Sequence, residues 1–239
     1  RAYSGHMGFS RLFPNRPGHQ STEADTVVVI DVLRSFTTAA VALHRGAAAV
    51  YPVDDPAAAR EACGRIDRAV SVGAFAGGAP VPGFDFGNSP SALARADLTG
   101  RPVVISTAAG VRGLHRFRRA RRVFAASLVC AAATAEAIRR SGADEVCFVI
   151  TGEWHDRDGD EDIACADYIE ALLRGHAPNP DRFARRVRES DFGLRFAAAT
   201  SPDLPADDLA IGADVDRFGF AMPVGEEAGD LVIRPVTPP

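Results

Sequence analysis

The chain of 239 residues contains no lysine; all 27 of its basic side chains are arginine. That absence removes a Schiff-base amine and the lysine that a phosphate-loop nucleotide hydrolase requires. Any phosphate or carboxylate must therefore be gripped by arginine, hydroxyls, backbone N–H groups or a metal. Cysteine is scarce too. Cys63, Cys130, Cys147 and Cys165 are far apart and form no C-x-x-C pair, which argues against a zinc knuckle and a secreted disulfide framework. No apolar run approaches the ~20 residues needed to span a bilayer, and no secretory pattern opens the chain. The expectation is a cytoplasmic protein with no membrane partner. Arg1–His6, ahead of Met7, reads as an expression-tag remnant, leaving residues 7–239 as one domain.

What is present is ordinary for a globular chain: 46% hydrophobic and 24% charged residues, with a formal net charge of −4. That balance gives no general attraction to nucleic acid. The arginines between Arg112 and Arg122 lack aromatic interleaving and read as a solvated helix face.

Short Val- and Ile-rich runs alternate with Ala-, Leu- and Arg-rich segments of helical period. The pattern predicts strands over 26–31, 48–53, 69–72, 102–107, 122–127, 145–151 and 232–234. Helices are predicted over 35–45, 56–63, 109–117, 131–140, 161–173, 181–189 and 202–211, with a further one after Ser89. Such alternation implies an α/β fold, a three-layer α/β/α arrangement around a mostly parallel sheet, with room for two merged similar lobes. Ligands in such sheets bind beyond the carboxyl ends of the strands.

Polar residues collect at those ends. Asp31 closes a buried strand and is followed by Arg34 and Ser35 at the mouth of a helix. Asp31 is placed to hold a metal or act as a base, and Arg34 to grip an oxyanion; alternatively Asp31 pairs with Arg34 and Ser35 caps the helix. Asn88 and Ser89 end a glycine-rich loop, as ligand-facing groups or as an Asx-turn and a cap. Thr107 and Arg112 flank a strand-to-helix turn that can form a second anion cradle. Glu161 and Asp162 begin a helix after an acidic loop, where they complement its dipole or supply oxygens to a hard cation. Cys165 sits one turn later, either facing the same ligand or simply buried.

These segments resemble the 2-phosphosulfolactate phosphatase family. The resemblance rests on Val28-Val29-Ile30-Asp31-Val32-Leu33-Arg34 with Thr37-Thr38, on Gly83-Phe84-Asp85-Phe86-Gly87-Asn88-Ser89-Pro90, and on Glu161-Asp162-x-x-Cys165-Ala166. It implies Mg²⁺-dependent hydrolysis of the phosphate ester of a small anionic hydroxy acid. It assigns Asp31, Asp162 and Cys165 to catalysis and Asp31, Glu161 and Asp162 to the metal. Substrate binding falls to Arg34, Ser35, Asn88, Ser89, Thr107 and Arg112. A small phosphorylated metabolite and a second copy of the chain are the expected partners. The chain departs from the family pattern at Ala108, Ala109 and Val111, at Cys130, and at Asp167. Lost polar donors there point to a different substrate, to reuse of the site by a lyase or transferase, or to non-catalytic anion binding.

Overall fold

The computed structural model describes residues 7–19, 21–199 and 201–238, so the Arg1–His6 remnant lies outside the described residues. Nine strands form among them. They are β1 (Gly8–Leu12), β2 (Thr26–Ile30), β3 (Ala49–Pro52), β4 (Val70–Gly73), β5 (Pro102–Ser106), β6 (Arg122–Ala126), β7 (Glu145–Ile150), β8 (Met222–Glu227) and β9 (Asp230–Ile233). They run in the order β1-β7-β2-β6-β8-β9-β3-β5-β4. The first four are mutually parallel, and so are the last three. The β8–β9 hairpin joins these two halves through antiparallel pairing with β6 and β3. Its turn is made at Ala228 and Gly229, both with positive φ, as a tight hairpin requires.

Every residue of β2 is buried, which explains why an unalternating Thr-Val-Val-Val-Ile run forms a central strand. Its side chains alternate between two cores. Val28 and Ile30 meet α5 (Ala131–Ser141), α6 (Asp160–Leu173), α7 (Pro180–Glu189), α8 (Asp191–Ala197) and α9 (Ala206–Gly212). Val27 and Val29 join the core that includes Phe36 and Ala40 of α1 (Ser35–His44) and Leu114 of α4 (Gly110–Phe117), with Val50 and Ile105 of the other half-sheet. A third cluster packs α2 (Pro56–Arg65) against Val104. Helices thus cover both sheet faces, giving the three-layer α/β arrangement expected. α1 is buried from Ser35 to Leu43, so polar side chains at its start are held within the protein.

Three elements were not expected. β1 is a half-exposed edge strand, β8 carries Pro, Gly and two Glu, and α8 has seven residues; none shows a clear hydrophobic period. No helix among the described residues is long and apolar enough to cross a membrane.

Candidate active site

The end of β2 meets the end of β5. Asp31 Oδ2 accepts from Ser35 Oγ at 2.6 Å and from the Gly110 amide at 3.0 Å, while Oδ1 accepts from the Ser35 amide at 3.0 Å. Ser35 Oγ also lies 2.9 Å from Thr107 Oγ1, closing a buried chain from carboxylate to hydroxyl to hydroxyl. Ser35 therefore does not cap α1. Neither α1 nor α4 is capped by the side chain of its own N-cap residue; instead Asp31 takes the first amide of each, Ser35 and Gly110, on its two oxygens, so one carboxylate serves both helix starts. Gly110 is required there, because a Cβ would lie 2.7 Å from Asp31 Oδ2.

The end of β7 is organised by Asp162. Its Oδ1 accepts from the Val32 amide at 2.8 Å, and its Oδ2 from the Thr151 and Gly152 amides at 3.1 and 2.7 Å. One carboxylate thus ties the loop after β2 to the loop after β7. Burial nevertheless pushes the Asp162 carboxyl well above the usual range, aided by the charges of Glu161 and Asp31, while the backbone amides oppose the shift. Glu161 is fully buried and neither of its oxygens has a hydrogen-bond partner. Burial pushes it up to about 7, partly opposed by its own backbone amide, the Ser190 side chain and Arg157. Gly152 fits closely against the pair: a Cβ there would lie 2.5 Å from Glu161 Oε1 and 3.1 Å from Asp162 Oδ2.

Arg34 is placed differently from either sequence expectation. It does not pair with Asp31. Its guanidinium donates to Asp208 Oδ2 at 2.7 Å and to the Asp203 carbonyl at 2.8 Å, with both charged side chains almost wholly buried. Phe196 covers it, with its ring centroid 5.1 Å away. Asp208 Oδ1 accepts from Ser89 Oγ and the Ser91 amide, each at 2.9 Å. Ser89 also caps α3 (Pro90–Leu93) as its position before Pro90 predicts. Asn88 forms no Asx-turn; its buried Oδ1 has no partner.

A cleft at this junction is lined by Asp31, Arg34, Ser35, Asn88 and Thr107, with Ala108, Trp154 and Arg157 at its side. Five of the expected substrate or catalytic positions thus come together. Ser89 is one step back, on Asp208. Arg112 is exposed and borders the two depressions beside the cleft. Cys165 is fully buried in the core beneath the sheet and does not line the cleft. Burial pushes its thiol well above the ordinary value, and nearby Cys130 adds to the shift, so it is held as a neutral thiol.

The acidic loop is bound by arginine. Glu153 pairs with Arg16, Asp156 with Arg195 and Asp160 with Arg186. Sequence reasoning missed Asp208, Trp154 and Arg157. Only Asp208 left a signal: an acidic residue on the apolar side of a short C-terminal helix.

Among the described residues, no group of three or more His, Cys, Asp or Glu side chains converges as a cation cage. The adjacent Glu161 and Asp162 form a pair, one member of which has both buried oxygens unpartnered. Glu161 keeps two unpartnered carboxylate oxygens, the donor type that Mg²⁺ takes, whereas the Asp162 oxygens already accept three backbone amides; both residues are buried and neither lines the cleft.

Residues 12–194 match the model of the 2-phosphosulpholactate phosphatase family. A probable 2-phosphosulfolactate phosphatase of Thermus thermophilus is 36% identical over 226 residues, covering 91% of this chain and 92% of that one. A Symbiobacterium thermophilum protein of the same description is 35% identical over 182 residues, covering 75% and 74%. One from Caldicellulosiruptor saccharolyticus is 35% identical over 156 residues, and this chain spans 64% of its length.

Proposed function

The chain belongs to the 2-phosphosulfolactate phosphatase family, and on that premise we propose that it hydrolyses the phosphate ester of a small anionic hydroxy acid, using Mg²⁺. The observation that carries this reading is that Asp31, held by the first amides of α1 and α4, comes together with Ser35, Asn88 and Thr107 at one cleft. The dipoles of two helix starts favour an anion in that corner. The hydroxyls of Ser35 and Thr107 and the side chain of Asn88 line the same space.

In this reading Asp31 is the base. It takes a proton from water as the water oxygen bonds to phosphorus. The P–O bond to the substrate's carbon-bound oxygen breaks, and that oxygen leaves as the hydroxyl of the product after gaining a proton from solvent. Bonds to Ser35 and Gly110 fix the carboxylate's orientation, which is what a positioned base requires. Arg34 is committed to Asp208, so its part is to shape the wall, carrying Ser89 and the loop at Gly78 with it. Glu161 and Asp162 would hold the cation, which when bound neutralises charge on the phosphoryl oxygens.

Phosphate release from a panel of phosphorylated hydroxy acids, 2-phosphosulfolactate among them, tests the reading. Release is expected with Mg²⁺ and is abolished by chelation. No release from any ester at high enzyme concentration overturns it.

A further inference from the structure

Two guanidinium groups border the central cleft, those of Arg34 and Arg157. Arg34 is bound to Asp208 and to the Asp203 carbonyl, so its charge is already answered. Asp31 borders the same cleft, and a phosphate brought beside that carboxylate is repelled unless a cation faces it. Arg157 is the cation left in the wall to do so.

The side chain of Arg157 is 15% exposed, yet no protein group takes its donors. Its nearest carboxylate is Asp156, 4.0 Å away, which is beyond hydrogen-bond reach; Asp156 is engaged instead by Arg195 at 3.1 Å. The charge of Arg157 acts on Glu161, but neither Glu161 oxygen accepts a hydrogen bond from it. Among the described residues the guanidinium therefore makes no hydrogen bond.

Aromatic rings and backbone fix it. The guanidinium carbon lies 4.4 Å from the centroid of Phe192 and 5.8 Å from that of Trp154. Stacking over an aromatic face suits arginine and leaves the N–H edges of its fork free to donate. Trp154 and Arg157 exchange main-chain hydrogen bonds at 3.2 and 3.1 Å, so the two side chains share one face of the turn. Trp154 in turn stands between the cleft and the two depressions beside it. The loop is tied to the start of α8 by the Asp158 amide donating to Asp191 Oδ2 at 3.0 Å and the Asp191 amide donating to Asp158 Oδ1 at 3.3 Å. Those bonds seat Phe192 beside the guanidinium. A cation preset by packing, with its donors unused, can meet developing charge without reorganising first.

We propose that Arg157 is a catalytic residue: its guanidinium donates to the phosphoryl oxygens and stabilises the charge that builds on them as the P–O bond breaks. The proposal rests on the phosphatase reading above and deepens it, moving the phosphoryl-gripping role from Arg34 to Arg157. No bond to Arg157 forms or breaks, and proton transfer stays with Asp31.

Two measurements test it. Arg157→Met keeps an unbranched stem over Phe192 and removes the charge and the donors. On the best ester of the panel it is expected to lower kcat/KM by about 10²–10³-fold, with kcat falling more than KM rises. The second measurement needs no turnover. Trp154 is the chain's one tryptophan and lies beside Arg157, so its emission reports on the cleft. Inorganic phosphate is expected to change that emission saturably, and Arg157→Met to weaken its affinity by about tenfold or more. Arg157→Lys, which restores charge without the stacked fork, is expected to recover at least about threefold of that affinity. A Lys variant that binds phosphate no better than the Met variant overturns the proposal, because packing alone then accounts for the loss. Where the parent turns over, a Met variant within about threefold of it in kcat/KM also overturns the proposal. If the parent hydrolyses no ester, the phosphatase reading fails and the titration alone decides: no saturable response to phosphate, or an affinity that Arg157→Met leaves within about twofold, overturns the assignment of Arg157.

Discussion

The Arg34–Asp208 pair is the sharpest test of how the cleft wall is built. Replacing Asp208 with Ala leaves a guanidinium that is 3% exposed with only the Asp203 carbonyl at 2.8 Å and the Gly78 carbonyl at 3.4 Å. It also strands the Ser89 hydroxyl and the Ser91 amide. Breaking one side of a buried pair costs about 3–5 kcal/mol, because the remaining charge is uncompensated. A domain of this kind has about 5–15 kcal/mol in hand, so the variant folds with little margin. Replacing both partners, Arg34→Met with Asp208→Leu, removes the charges while filling similar volume under Phe196. That double variant is expected to recover to within about 2 kcal/mol of the parent. Urea unfolding followed by Trp154 emission and by circular dichroism gives all four corners of the cycle, provided the m-value stays constant. Single variants that each cost under about 1 kcal/mol and add in the double would refute the claim that this pair is a mutually dependent buried unit.

Other consequences follow from the same geometry. Asp31→Asn removes the base and turns an NH₂ toward the Ser35 or the Gly110 amide, so turnover is expected to fall by about 10²–10⁴-fold and stability by about 1–3 kcal/mol. Gly152→Ala forces a methyl to within 2.5 Å of Glu161 Oε1; stability should fall by about 1–3 kcal/mol and the Mg²⁺ concentration for half-maximal activity should rise. Burial holds the Glu161 carboxyl at about 7 against an ordinary 4.5. Below pH 4.5 it is protonated both folded and unfolded, and as pH rises toward 7 the unfolded chain releases the proton first. Metal-free protein therefore loses up to about 3 kcal/mol of stability across that window, and the loss persists above it. Glu161→Gln should reduce that slope in unfolding measurements without metal, the remainder coming from Asp162; an unchanged slope would contradict the assignment.

The core of the fold was legible because burial on both faces leaves an unmistakable pattern. The runs around Val27–Ile30 and Val103–Ile105 contain little except apolar residues, and Gly142 and Pro90 punctuate helix ends as their backbone preferences require. The β8–β9 hairpin was not legible in full. β9 is buried and apolar, in keeping with the strand expected over 232–234, whereas β8 carries Pro223, Gly225, Glu226 and Glu227 along increasingly exposed ground and lacks the period that a core would impose. At the site, the polar residues at strand ends identified the right corner, since polar side chains there interrupt otherwise apolar sequence for a reason. What they touch was beyond reach. Arg34 and Asp31 are three residues apart, yet the partner of Arg34 is Asp208, 174 positions away, brought in by the packing of α9 against α3. Local spacing cannot reveal such a contact. Trp154 was overlooked because it lies in a loop that reads as merely acidic, and its significance depends on which spaces it separates. Cys165 shows the converse: its spacing from Glu161 and Asp162 suggested a shared ligand, whereas its side chain is buried in the core packed between the sheet and α6.

The claim that phosphate chemistry occurs where β2 and β5 end is tested most directly by locating a heavy phosphate analogue in crystals of the protein. Tungstate with Mg²⁺ is the suitable probe, since its anomalous signal marks the anion without ambiguity. The account predicts a peak in the cleft bounded by Asp31, Asn88, Thr107 and the start of α4. A peak at full occupancy elsewhere, with this cleft empty under the same soak, would contradict it.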